Sequence, residues 1–384
     1  MKLLRYFAIT IFLTLALGEF FSRLLIPPSS LEVPRYKLTD HPFIRYEWAP
    51  NFRTVYDIEG IGGQKGAMDF EINPFGFRSK SMKTAAKPAG TVRLFFLGGS
   101  TTECLYLSEE KTFVSLVEKK LSERYPSLRF EAVNAGMSGN IAAATLGLLI
   151  YKILYYEPDI VFVMLSINDM RYGAAPGFDP VNRPKNRRKP SLDEAPAPVG
   201  RLLTEILKKS YFLKLIKRRI LNRFFAPKIK NPRQQYDLLR KQRKVFPIQE
   251  PKESQSLPDF LRYMRLMDAV AKAQGVRLIF VTEASVYQRP LPAEIDQMLW
   301  MGYEPGQFNL SNDFLMRETK RFNDGVRDLS RQLGTELIDM DAEMPKDLAH
   351  FYDDVHFSPE GSAEAANIIL KHLQEFPPSL KENR

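Results

Sequence analysis

The sequence predicts an α/β protein, built on a parallel sheet of five short strands covered by helices on both faces. Apolar runs at 92–97, 130–133, 160–165, 277–281 and 335–339 have the length and character of short buried strands. Helical stretches lie between them, and strands joined through helices make a parallel sheet buried on both sides. At 384 residues, 44% hydrophobic and 26% charged, the chain holds enough apolar material for one large domain with additions or for two domains.

Residues 1–26 form the first element. Met1-Lys2-Leu3-Leu4-Arg5 is basic, and the apolar run that follows reaches Phe21 with only Glu19 inside it. Roughly 20 apolar residues cross a bilayer, and a basic flank favours the cytoplasmic side. The segment therefore reads as a signal anchor, a transmembrane helix that leaves the rest of the chain outside the cytoplasm, in a periplasm or at the cell surface. Ala16 and Gly18 are spaced like a signal-peptidase site, so a cleaved signal peptide is the alternative; the return of apolar residues from Phe20 to Ile26 favours the anchor. Residues 27–90, rich in Pro, Gly and aromatic residues and without long periodicity, read as an irregular juxtamembrane segment leading into INPFGFRSKS, residues 72–81.

The regular domain occupies 91–384. Lys111 to Arg124 carries apolar residues at 113, 114, 116, 117 and 121 and stops before Tyr125-Pro126, while Pro258 to Ala273 is periodic and ends at Gly275. Ser358, Pro359 and Glu360 stand in the order of an N-cap, a first helical residue and a first-turn acid, and open a last helix reaching about Glu375. An insertion at 171–257 separates the third and fourth strands. Its first part is a Pro-rich polar loop; its second is a basic helix, 201–225, with Leu202, Ile206, Leu213, Ile216, Ile220 and Phe224 on one stripe. Between Arg183 and Lys244 there are 20 Lys/Arg against 4 Asp/Glu, so the net charge of +10 belongs to this segment and the remainder is acidic. Such a helix can lie on an anionic membrane, cap a site, or pack with its basic face in solvent. The expected location speaks against nucleic acid as its partner.

Cys104 is the single cysteine, which excludes an intramolecular disulfide and a Cys-based zinc cluster and suits a small buried helix residue. Four scattered histidines and the lack of a GxGxxG or Walker pattern imply neither a metal nor an organic cofactor.

Chemistry is sought first at FLGGSTTE, residues 96–103, where one serine stands at a strand-to-helix turn. A serine there most often caps the helix. As a nucleophile it needs a base, a carboxylate that holds the base in the right tautomer, and donors for the oxyanion. Parallel α/β sheets place such groups beyond the carboxyl ends of their strands. Ser100 follows the first strand, Gly139 and Asn140 the second, Asn168 and Asp169 the third, and Asp353 to His356 precede the last helix. His41 lies in the irregular segment, His372 inside the last helix and His350 after a helical turn. His356, sharing a loop with Asp353, is the best-placed base.

FLGGSTTE, NAGMSGN, LSINDM and YDDVHFSPEG, in that order and within about 91–375, resemble the four sequence blocks of the SGNH (GDSL-like) hydrolase family. The resemblance implies a three-layer α/β/α sandwich of the SGNH-hydrolase, flavodoxin-like kind and a serine esterase mechanism. On the matching positions Ser100 would be the nucleophile, with its own N–H, the N–H of Gly139 and the side-chain amide of Asn168 as the oxyanion hole. His356 would be the general base and Asp353 its orienting carboxylate; spacing prefers Asp353 to Asp354, and block alignment prefers Gly139 to Gly136, which suits the turn. Two positions depart from the pattern: Gly99 stands where the family has Asp, and Ser166 where it has Gly two residues before the oxyanion Asn. Neither supplies catalytic chemistry in the pattern.

The N-terminal anchor, NPFGFR and the basic insertion are also similar to a bacterial group of membrane-anchored SGNH proteins, which implies extracytoplasmic work on acylated polysaccharide or lipid. The expected function is hydrolysis of O-acyl esters, acetyl above all, on a carbohydrate or lipid by a Ser-His-Asp triad. The expected partners are that substrate and the membrane, met through the N-terminal helix and the basic helix. An O-acyltransferase would use the same residues with a sugar hydroxyl in place of water. A non-catalytic carbohydrate- or lipid-binding relative is the third reading, and the intact residue set gives it little support.

Overall fold

A computed structural model describes residues 2–25, 36–38, 41, 44, 46–179, 210, 212 and 232–373. The chain divides into two compact units, 1–34 with 184–229 and 35–183 with 230–384.

In the first unit the apolar run forms α1 (Lys2–Leu25). The expected membrane span is corrected here: among the described residues no helix is long and apolar enough to cross a membrane. Arg5 and Glu19 bracket an uncharged stretch of only about 20 Å at 1.5 Å per residue, short of a hydrocarbon core of about 30 Å. The Glu19 carboxylate accepts from Ser210 Oγ at 2.6 Å and from the Phe212 N–H at 3.0 Å. The rest of the basic helix expected at 201–225 lies outside the described residues.

The second unit contains the sheet. Its strands are β1 (Thr91–Gly98), β2 (Arg129–Asn134), β3 (Ile160–Met164), β4 (Arg277–Val281) and β5 (Glu336–Ile338). They are all parallel, in the order β5-β4-β3-β1-β2. All eight residues of β1 are buried, which is why its sequence is mostly apolar; the one charge inside it, Arg93, is paired with the buried Glu131 carboxylate at 2.8 Å. Phe96 of β1 and Phe162 of β3 are in register, and their rings stack at 4.4 Å between centroids.

The connecting helices are α2 (Ser100–Glu103), α3 (Phe113–Arg124), α4 (Ala142–Tyr151), α5 (Ile167–Gly173), α6 (Pro232–Val245), α7 (Leu257–Ala273), α8 (Asn312–Leu333) and α9 (Pro359–His372). Side-chain oxygens of Thr112, Ser311 and Ser358 accept the N–H three residues on and so start α3, α8 and α9. Helix α3 packs on α9, while α7 packs on both α4 and α8. Right-handed crossovers place these two groups on opposite faces of the sheet.

The chain steps from β1 outward to β2, then crosses back past β1 to β3. This reversal opens a crevice at the carboxyl ends of β1 and β3, the usual ligand position in such sheets.

The irregular reading of 27–90 also needs correction. Two short antiparallel ladders form there, Tyr36–Leu38 with Tyr46–Trp48 and Arg53–Asp57 with Ala67–Glu71. Strands of three to five residues are too short to leave a clear periodic signal. Trp48, Phe70 and Ile72 of this region are buried in a core cluster with Tyr106 and Tyr352. Helix α6 lies in the second, helical part of the insertion, beyond the stripe at 202–224; none of its residues is fully buried, and its Tyr236 packs against the Trp48 cluster and stacks on Trp300 at 5.1 Å between centroids.

Candidate active site

Ser100 is the first residue of α2, which starts as soon as β1 ends and lasts four residues. Cys104 closes it in the left-handed conformation, φ 51°. Arg78, from NPFGFR, anchors this turn from below. Its buried guanidinium donates to the carbonyls of Glu103 at 2.7 Å, Cys104 at 2.5 Å and Leu107, and lies 4.7 Å from the Phe70 ring centre. These carbonyls are the ones a helix end leaves unpaired, and a cation suits them. Asn134, ending β2, donates to the Thr102 carbonyl at 2.7 Å, and the Glu103 carboxylate accepts from the N–H of Ser138 and from its Oγ at 2.5 Å. The serine turn and the Ser138-Gly139 turn are thus tied together.

His356 Nε2 lies 2.7 Å from Ser100 Oγ, and its Nδ1 lies 2.8 and 2.7 Å from the two Asp353 carboxylate oxygens. Asp353, fully buried, also accepts from Trp300 Nε1 at 2.8 Å and from the N–H of Val355 and His356 at 3.1 and 3.0 Å. Burial alone would raise this carboxyl, but the facing imidazole and these donors hold it below its usual range. Burial would likewise lower the His356 pKa, yet Asp353, with smaller help from Asp354 and Glu283, lifts it above the usual histidine range. With Asp353 accepting at Nδ1, neutral His356 carries its proton there and leaves Nε2 free to take the serine proton.

Asp354, the rival acid, points elsewhere. It accepts from Tyr287 Oη at 2.7 Å and from the N–H of Trp300 and Met301, and holds the loop that carries Trp300. Burial and the neighbouring Asp353 charge raise its pKa. The rings of Trp300 and Tyr352 run nearly parallel to the His356 imidazole, at 6.5 and 5.5 Å between centroids.

Gly139 is exposed and takes φ 76°, a conformation glycine adopts without strain. Among the described residues its N–H donates no hydrogen bond, and neither does the Asn168 side-chain amide. Gly136 belongs to the close packing instead: a Cβ there would lie 2.4 Å from the Glu103 nitrogen. Asp169, next to Asn168, accepts the Ala142 N–H at 3.1 and 3.0 Å and so caps α4.

The remaining candidates separate from this cluster. His350 pairs with Asp347 at 2.7 Å, His372 with Glu343 at 2.6 Å, and His41 accepts the Ile44 N–H at 3.2 Å. Burial pushes the Cys104 thiol up to about 12, so it stays protonated and inert at neutral pH. Trp300, Glu283 and Arg78 support the cluster without having been singled out for it; only Arg78 stood in a noted stretch.

A hydroxyl facing an imidazole, an imidazole paired to a buried carboxylate, and donors without partners on the adjoining turns are what acyl transfer through a serine requires. The model of the GDSL-like lipase/acylhydrolase family matches residues 96–363, a span that includes all five of these residues. No curated protein matches the chain. Among solved structures it is similar to Axe2, an acetylxylan esterase from Geobacillus stearothermophilus, at 16% identity over 76% of this chain and 98% of that one, with a TM-score of 0.42. It is also similar to LAE5, an α/β hydrolase enzyme from the metagenome of Lake Arreo in Spain, at 15% identity over 74% and 95% of the two chains, with a TM-score of 0.41.

Proposed function

The chain belongs to the GDSL-like lipase/acylhydrolase family and is an ester-hydrolysing enzyme, and from that premise we propose that Ser100, His356 and Asp353 are its catalytic triad. Ser100 Oγ attacks the ester carbonyl carbon while its proton passes to His356 Nε2. The carbonyl oxygen becomes an oxyanion held by the N–H of Ser100, the N–H of Gly139 and the side-chain amide of Asn168. Collapse expels the alcohol, which takes the proton from His356 and leaves the acyl group on Ser100. Water then repeats the sequence, releasing the carboxylic acid and restoring the serine. Asp353 stays ionised throughout and stabilises the imidazolium.

The observation that carries this reading is the unbroken chain from Ser100 Oγ through His356 to Asp353, with 2.7 Å at its serine end. The substrate we propose is an O-acyl ester, acetyl first, on a carbohydrate or lipid. Incubating the enzyme with an acetylated oligosaccharide should release free acetate, and Ser100→Ala should abolish the release. Acetyl appearing on an added unacetylated oligosaccharide, with little free acetate, would make it an acyltransferase. No acetate in either form would refute an acetylated carbohydrate as the substrate.

We place this activity outside the cytoplasm, with α1 as the targeting and membrane-attachment element. Exposed Tyr6, Phe7, Ile9, Leu13, Phe20 and Leu24 on that helix support the reading. A C-terminal alkaline phosphatase fusion, active only outside the cytoplasm, should be active; an inactive fusion that accumulates in the cytosol would contradict it.

A further inference from the structure

Glu283 stands two residues past β4 with 2% of its surface exposed. Its Oε1 accepts from Thr101 Oγ1 at 3.0 Å, and its Oε2 accepts from Ser166 Oγ at 3.0 Å and from the Ile167 N–H at 2.8 Å. Asn323 of α8 clamps its backbone on both sides, accepting the Glu283 N–H at 3.1 Å and donating to its carbonyl at 2.9 Å. A carboxylate buried this deeply persists only where donors satisfy it. All three donors sit beside residues of the proposed chemistry: Thr101 directly follows Ser100, and Ser166-Ile167 directly precede Asn168.

We propose that Glu283 is the positioning residue of the oxyanion hole, one carboxylate that fastens the turn after β1 to the turn after β3. Because β4 lies beside β3, its end reaches past β3 to the loop that follows β1. The two donors supplied by those turns, the Ser100 N–H and the Asn168 amide, therefore keep a fixed separation. Ser166 supplies through its hydroxyl one of the three donors to Glu283, and a glycine at that position would leave the carboxylate with two. A developing oxyanion draws its stabilisation from donors already in place, so a loosened tie costs the transition state more than it costs substrate binding.

This inference rests on the serine mechanism proposed above, and its test separates the two. Glu283→Gln presents an amide where two hydroxyls and an N–H all donate, and should lower kcat on a short-chain aryl acetate about 10- to 100-fold. KM should change by less than about threefold, the mark of an interaction made in the transition state. Inhibition by phenylboronic acid, which forms a tetrahedral adduct on a nucleophilic serine, should weaken in step with kcat. Fluorophosphonate titration of active sites corrects each rate for misfolded protein. Where Glu283→Gln does not fold, Thr101→Val and Ser166→Gly, each removing one neutral hydroxyl, carry the test with about 3- to 10-fold losses of kcat and matching losses of boronate affinity. Parent kcat and boronate affinity per titrated site in these variants would overturn the inference alone. A parent enzyme that the fluorophosphonate does not label would overturn the serine mechanism and this inference with it.

Discussion

The side-chain amide of Asn168 occupies the place beside Gly99 that a β carbon would need: built on the backbone, that carbon would lie 2.6 Å from Asn168 Nδ2. Contacts under 3.0 Å force something to move, and the group free to move here is the amide itself. The glycine that replaces the family's aspartate is thus matched to the position of the proposed oxyanion donor.

Gly99→Asp, which restores the family residue, should therefore damage the enzyme. Turnover of an aryl acetate should fall about 10- to 100-fold as the amide is pushed off the oxyanion position. The fold should survive, since the displaced atom ends a side chain and no backbone is obstructed, while the thermal midpoint falls by the cost of an added buried carboxylate. Parent kcat in this variant would contradict the role given to Asn168.

The pH dependence follows from the Asp353–His356 pair. His356 must be neutral to accept the serine proton, and its pKa is raised above 6.5, so kcat/KM should climb with pH to a midpoint above that value. The contribution of the pair to stability runs the other way. The raised imidazole gives stabilisation that is complete below 6.5 and is lost as pH rises through its folded-state value; the lowered carboxyl gives stabilisation that is complete above 3.8 and is lost as pH falls through its own, lower folded-state value. Thermal midpoints measured across this window should decline on the alkaline side in the parent and flatten in Asp353→Asn. An acid-limb midpoint below 6.5 would contradict the account.

Arg78→Met should be strongly destabilising. It strips the carbonyls of Glu103, Cys104 and Leu107 of their donor in a buried setting, which costs about 3 kcal/mol or more. Urea denaturation should show a lower midpoint with an unchanged slope, and Arg78→Lys should recover only part because one ammonium cannot span three carbonyls. A variant as stable as the parent would mean that Arg78 does not anchor the serine turn.

The strands and the four blocks were legible because their signals are local. A buried parallel strand writes an apolar run, and Ser100, Gly139, Asn168 and the Asp353/His356 pair each stand where such a strand ends or a capped helix begins. The supports were not legible, because their partners are remote in the chain. Glu283 meets Thr101 across 182 residues, and Trp300 meets Asp353 across 53. Arg78 stood in a noted stretch, yet nothing local indicates that carbonyls 25 to 29 residues away would surround it. The membrane span misled for a related reason: its apolar count is high, but Glu19 interrupts the run before it reaches bilayer length.

Nucleophilic attack by Ser100, activated by His356, leaves a covalent trace that can be read chemically. Treatment of the purified protein with a fluorophosphonate, followed by peptide mass spectrometry, addresses it directly. A single adduct is expected on the peptide containing Ser100, none on Ser100→Ala, and labelling slowed by about three orders of magnitude or more in His356→Ala. Labelling of Ser100→Ala at the parent rate, or an adduct on any other serine, would contradict nucleophilic attack by Ser100.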